Sequence, residues 1–217
     1  MKVLEIKEIK FKDEIPSLDD VSARLDKEGK RQKIETLNWK EFSYKPDVNF
    51  AIGYTSREIL LKYYVKEQYF KAEKTETNQM VCEDSCVEFF VSPADDGTYY
   101  NLEFNGIGTC LAGYGTGRAD SKRIDPAIIS KIRRRSSAGT VSVKETKKSF
   151  TWTETIAIPV EVFFRHDIKG LKGKTFGANF YKCGDMLSVP HFVTWNPVGT
   201  GKPDFHRPEY FGLLKFL

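Results

Sequence analysis

The sequence predicts an all-β protein, a two-sheet antiparallel β-sandwich with a short N-terminal helix and one long polar loop. Three observations carry this. Period-two alternation of apolar and polar residues recurs in short runs along most of the 217 residues. Turn residues punctuate those runs, and no helical pattern recurs between them, which favours antiparallel sheets packed face to face over a parallel sheet with crossover helices. Aromatic residues make up 13% of the chain, with 16 Phe and 10 Tyr, and suit a pleated, half-buried surface.

Taken in order, Val3 to Phe11 alternates as a strand, and Ser17 to Lys27 reads as a helix with Ser17 as cap and Asp19 and Asp20 in its first turn. Val48, Phe50, Ile52 and Tyr54 share one face of a strand; Ile59, Leu61, Tyr63 and Val65 share a face of the next. The link Thr55-Ser56-Arg57 makes the two a hairpin. Further alternating runs cover 85–92, 98–105, 109–114, 140–145, 150–158, 175–183 and 211–216. Gly115 to Ala138 is the least periodic stretch and reads as a long loop with a helical piece near 126–132. One domain is expected, with residues 1–37 an extension packed upon it.

Composition narrows the function. A net charge of +4, from 34 basic and 30 acidic residues, gives no field that calls for nucleic acid. The opening MKVLEIKEIKF interleaves charge with apolar residues, unlike a secretory signal. No stretch is apolar enough to cross a membrane. That opening leans toward the cytoplasm but fits a trimmed exported protein equally, and a monomer is the expectation. Cys82, Cys86, Cys110 and Cys183 lack a paired C-x-x-C spacing, so they read as small buried hydrophobes, with a disulfide as the alternative.

In the run 98–105, Tyr100, Leu102 and Phe104 turn to the core, leaving Tyr99, Asn101, Glu103 and Asn105 on the other face. Glu88 stands opposite Val87 and Phe89 in its own run; Asn179 and Tyr181 share a side in theirs. If these three strands lie in one sheet, Glu88, Asn101, Glu103, Asn179 and Tyr181 converge. Carboxylates and amides pair with vicinal hydroxyls, and an aromatic ring meets the apolar side of a sugar. Outward polar residues of an ordinary solvated sheet would give the same pattern.

Val81-Cys82-Glu83-Asp84-Ser85-Cys86-Val87-Glu88-Phe89-Phe90-Val91, an acidic lead into a V-E-φ-F strand, resembles the family 9 carbohydrate-binding modules. Trp39 with the Phe50–Val65 hairpin, Ala178–Lys182 followed by Thr194-Trp195-Asn196-Pro197, and the ending Phe205 to Leu214 resemble that family in the same order, over roughly 38–217. The similar group is its single-domain bacterial members. The resemblance implies a sandwich without catalysis that recognises glucose- or xylose-type sugars, free or in xylan and other polysaccharides, often at chain ends. In some members calcium is bound structurally; no other cofactor is implied. It places polar sugar ligands on Glu88, Asn101, Glu103 and Tyr181, only Glu88 keeping the family's residue type. Its two clamp tryptophans fall near Cys82 and near Phe205, leaving one aromatic plate with His206 beside it.

Other constellations point elsewhere. The carboxylates Glu83, Asp84, Glu88 and Glu103 could form a hydrolytic pair, though no hydrolase signature accompanies them. A sandwich that lost its clamp could serve as a protein interaction domain. Gly113-Tyr114-Gly115-Thr116-Gly117 is a turn rather than a phosphate cradle, with Arg118 a ligand contact by proximity. Lys131 with Arg133, Arg134 and Arg135 reads as a solvated basic face. His166 reads as a surface residue, His191 and His206 as loop residues near a binding mouth, Trp152 as core and Trp195 as rim.

Overall fold

A computed structural model of the chain describes residues 1–217. Two twisted sheets pack face to face, and the larger has nine strands. Its hydrogen-bonded order runs Val3–Ile6, Gly212–Phe216, Thr175–Cys183, Cys86–Ser92, Tyr99–Asn105, Cys110–Gly115 and Lys122–Arg123, with Phe192–Thr194 and Thr36–Leu37 beside the second half of Thr175–Cys183. The smaller sheet has five strands, in the order Arg133–Ser136, Phe150–Pro159, Glu58–Glu67, Asp47–Tyr54 and Gln32–Lys33. All pairings within both sheets are antiparallel except one: Val3–Ile6 runs parallel to Gly212–Phe216. A two-stranded ribbon of Phe70–Ala72 and Val143–Thr146 stands apart from both sheets.

Residues that alternate inward from both sheets build the main core. The Phe180 ring stacks between Phe50, 3.8 Å away, and Phe89, 5.0 Å away. The helix Leu18–Glu28 is capped as its sequence requires, the Ser17 hydroxyl accepting from the Asp20 amide, and it buries Val21 and Leu25 on the outer face of the five-stranded sheet. Apolar spacing and caps were enough to place these elements.

The stretch from 115 to 138 differs from the loop expected. Only Pro126–Ile129 is helical; Lys122–Arg123 adds an edge strand to one sheet and Arg133–Ser136 to the other. The basic run that read as a solvated face is that second edge strand, and partners hold each guanidinium: Glu58 and the Pro16 carbonyl for Arg133, the Gly108 carbonyl for Arg134, Asp19 for Arg135. Charged residues on an edge also deter pairing with other chains. His166 is half-buried between the Tyr100 hydroxyl, 3.0 Å away, and Asp96, 3.2 Å away, so it is not a solvated surface residue. Trp195 is core rather than rim, packed edge-on with its ring centroid 5.5 Å from that of Phe180 and 6.2 Å from that of Phe50.

Two polar features interrupt the main core. Lys182 of the larger sheet reaches Glu67 of the smaller at 2.9 Å, both side chains without solvent exposure. Trp152 Nε1 donates to the other Glu67 oxygen at 2.7 Å, and Lys182 also donates to His191 Nε2 at 2.9 Å. His191 is thus a buried acceptor, not a residue of a binding mouth; burial and the adjacent Lys182 hold it neutral, well below the usual imidazole range. Glu154 is the second feature. It is fully buried, neither carboxyl oxygen has a hydrogen-bond partner, and burial pushes its carboxyl up to about 8.

Two stability measurements follow from these groups. Lys182→Met strands the Glu67 carboxylate and is expected to cost about 3–5 kcal/mol in chemical denaturation, most of it recovered in Lys182→Met/Glu67→Leu. Failure of the second change to restore stability would show that the lysine acts through something other than this pair. Glu154 binds its proton more tightly when folded than when unfolded, so the stability it supports is complete at low pH. That stability drains as pH rises from the unfolded carboxyl value toward about 8. Glu154→Gln should therefore match the parent near pH 5 and exceed it near pH 8, the gap changing by on the order of 2–4 kcal/mol; a pH-independent difference would refute the assignment.

Candidate functional site

Cys86–Ser92 lies between Thr175–Cys183 and Tyr99–Asn105, and its register sets Glu88 beside Glu103 on one flank and Tyr181 on the other. Period-two geometry puts all three on the face turned away from the main core. That face is not the solvated surface an isolated strand reading suggests. A second apolar cluster covers it, built from Trp39, Val81, Phe90, Tyr99, Leu111, Tyr181, Val198, Phe205 and Phe211 among others. Chain segments 38–42, 80–84 and 198–211 supply most of this cover.

The cover leaves one cleft of about 460 Å³ over the two glutamates. Glu88, Glu103, Leu111, Cys82, Asp185 and Phe192 line it together with Phe205, His206, Asp204 and Pro203. Arg118, Ser121, Arg123 and Met80 complete the lining. Both arginines are exposed, and Arg118 pairs with Asp204 at 3.3 Å. The Thr116 and Gly117 amides donate to the Asp120 carboxylate, which fixes the turn that carries Arg118.

Of the residues singled out from the sequence, Glu88, Glu103, Phe205 and His206 line this cleft. Asn101 and Tyr181 do not. Asn101 sits beneath, its amide donating to Glu103 Oε1 at 2.9 Å while its oxygen accepts from the Ser121 hydroxyl. It orients the glutamate rather than facing a ligand. Tyr181 is fully buried; its ring stacks on Phe205 at 4.1 Å and 9°, and its hydroxyl donates to the Phe205 carbonyl. Asn179, also expected to converge here, is fully buried, its amide donating to the Asn196 carbonyl. Phe205 is itself only 6% exposed, with Trp39 and Phe192 against it, so the aromatic plate is narrow.

Arg123, Ser121 and Asp185 escaped the sequence reading. Asp185 keeps the parity of Tyr181 and Cys183 just past their strand, and Arg123 that of Ser121; this parity was the available signal. Asp84, the acid that leads the motif strand, has a structural task. Its Oδ2 accepts from the Glu73 and Lys74 amides and from Asn105, tying three segments behind the cleft.

Acid groups dominate the electrostatics of the floor. Burial raises Glu88 well above the ordinary carboxyl range, with the neighbouring Glu103 adding to it. Burial likewise pushes Glu103 up to about 7, against the pull of its Asn101 hydrogen bond, and Asp185 to about 6. His206 accepts from or donates to the Tyr99 hydroxyl at 2.8 Å, and burial with Arg118 nearby lowers it to about 4. At neutral pH the cleft therefore offers a protonated Glu88, a titrating Glu103 and a neutral imidazole, groups that both donate and accept hydrogen bonds. The resemblance implies structural calcium in some members of the family. The one trio of side chains close enough to share an ion is Cys86, Glu88 and Cys183, and two sulfurs do not suit the oxygen shell of calcium.

An antiparallel sandwich with a polar cleft held over the outer face of its larger sheet is a β-sandwich of the ligand-binding kind. Residues 19–216 match the model of carbohydrate-binding family 9, and the chain belongs to that family. Among solved structures it is similar to a candidate carbohydrate-binding protein from Bacteroides uniformis, with 40% identity, TM-score 0.96, and coverage of 100% of this chain and 99% of that one. A family 9 module from Caldicellulosiruptor kristjanssonii in complex with glucose shares the fold at 12% identity and TM-score 0.60, covering 100% and 96% of the two chains. The cellotriose complex of a family 9 module from that organism does so at 13% and 0.56, covering 99% and 93%. No curated protein sequence matches the chain.

Gly113 tests how tightly the cleft is supported. A Cβ there would stand 2.5 Å from the Asn101 oxygen and 2.6 Å from the Ser121 hydroxyl. Gly113→Ala is expected to push Asn101 off Glu103 and to cost about 1–3 kcal/mol in denaturant unfolding. An unchanged midpoint would mean that Asn101 has room to move.

Proposed function

We propose that this chain binds neutral carbohydrate, glucose- or xylose-type units or glycan ends, without turning it over, in the cleft between Glu88 and Phe205. One observation carries the reading: Glu88, Glu103 and Asp185 line a single cleft together with Phe205 and His206. Protonated or titrating carboxyls both donate to and accept from sugar hydroxyls, and Phe205, braced by Tyr181, supplies an apolar contact. The cleft volume falls within the range of small-ligand sites. Family membership supports the same reading, as do the glucose and cellotriose complexes of family 9 modules from Caldicellulosiruptor kristjanssonii.

A second reading rests on the same two glutamates. They are direct cross-strand neighbours, whose Cβ atoms stand about 5 Å apart, so both carboxyls can reach one glycosidic bond as a retaining acid and nucleophile must. The neutral Glu88 would be the acid. Turnover of aryl glycosides that vanishes in Glu88→Gln would establish this hydrolase and end the non-catalytic reading.

Calorimetric titration with glucose, xylose, cellobiose and xylan is the direct measurement. Glu88→Ala and Glu103→Ala should each weaken binding roughly tenfold or more, about 1.4 kcal/mol, whereas Tyr181→Phe should change it less than about threefold. Absence of heat with all four sugars would remove sugar binding and leave a protein interaction role for the cleft.

A further inference from the structure

We propose that Cys86, Cys183 and Glu88 form a site for a thiophilic divalent cation of the zinc class, at the floor of the cleft. Antiparallel register makes Cys86 and Cys183 direct cross-strand partners, and Glu88 stands two residues from Cys86 on the same face. Two thiols and a carboxyl thus meet by strand geometry alone. Their ligand atoms all lie within 4.8 Å of one another, and Cys183 Sγ is 3.0 Å from Glu88 Oε1. In a tetrahedral shell with bonds of about 2.3 Å to sulfur and about 2.1 Å to oxygen, neighbouring ligand atoms stand roughly 3.5–3.8 Å apart. Side-chain rotation of about an ångström closes the gap.

The surroundings meet the other requirements of a metal site. Backbone contacts fix the ligands: Tyr63 donates to the Glu88 carbonyl at 2.7 Å, and Lys182 to the Cys183 carbonyl at 2.8 Å. Glu88 borders the cleft, which gives the ion a path inward and a side for a fourth ligand, either water or Asp185. The ion displaces three protons, one from each thiol and one from the Glu88 carboxyl, which leave through the cleft. Two thiolates and one carboxylate around a dication leave one negative charge, which Arg118 and Arg123 at the rim offset in part. The donor set is soft, which favours zinc over calcium or magnesium. Because Glu88 serves both ligands, zinc and sugar compete; the metal site itself does not depend on sugar binding.

The test is cobalt titration of the reduced, chelator-treated protein, followed by zinc. Expected are a thiolate-to-cobalt charge-transfer band that saturates at one equivalent, its loss on adding zinc, and no displacement by calcium. The band should persist in Cys82→Ser and Cys110→Ser and disappear in Cys86→Ser and Cys183→Ser. Glu88→Gln, a neutral isostere that spares both thiols, should weaken zinc roughly tenfold or more with an unchanged circular dichroism spectrum. No band in the parent protein, a band that survives loss of either Cys86 or Cys183, or full zinc affinity in Glu88→Gln would overturn the proposal.

Discussion

Glu88 and Glu103 are locked side by side by the register of two central strands, on a sheet face that the rest of the chain covers. Two carboxyl groups that close, under an apolar roof, cannot both carry charge cheaply. Several features follow from this constraint. Glu88 keeps its proton, Asn101 donates to Glu103, and two arginines gather at the rim where solvent still screens them. The aromatic cover closes over Phe90, Tyr99 and Phe211 yet stops short of the acids, and the opening it leaves is the cleft.

The same sheet carries charge on its other side in a different way. Lys182 points into the main core one residue from Tyr181 and is neutralised there by Glu67 of the opposite sheet. Alternation therefore places a closed ion pair on one side of the strand and the braced aromatic stack on the other. The Trp152 and His191 contacts use the remaining polar atoms, so the pair acts as a fixed rivet between the sheets rather than a mobile charge.

Much of this was legible in the residues. Alternation located the central strands within a residue or two, but the strand read over Val3–Phe11 ends at Ile6 and the one read over 140–145 spans Val143–Thr146; parity put Glu88, Glu103 and Tyr181 on one face. Parity alone is blind to what lies above a face. Tyr181 and Asn101 share the side of the ligand-facing residues, but Phe205 stacks over Tyr181 from 24 residues away, and Glu103 and Ser121 engage the Asn101 amide. The short edge strands Lys122–Arg123 and Arg133–Ser136 were unreadable for another reason: their residues are polar, and hydrogen bonding to a neighbour, not apolar periodicity, makes them strands. Trp195 and His191 misled because a tryptophan or histidine at a strand end suits a rim and a core equally.

The parallel pairing of Val3–Ile6 with Gly212–Phe216 brings the first and last strands together at one border of the larger sheet. Three strand spacings, about 14 Å, separate that border strand from the one bearing Glu88. Because the two strands run parallel, the chain enters this border at its Val3–Leu213 end and leaves it at its Ile6–Phe216 end, so a neighbour fused at either side would attach along the same flank. The unit can thus be tethered from its flank while the opening over the acids stays unobstructed.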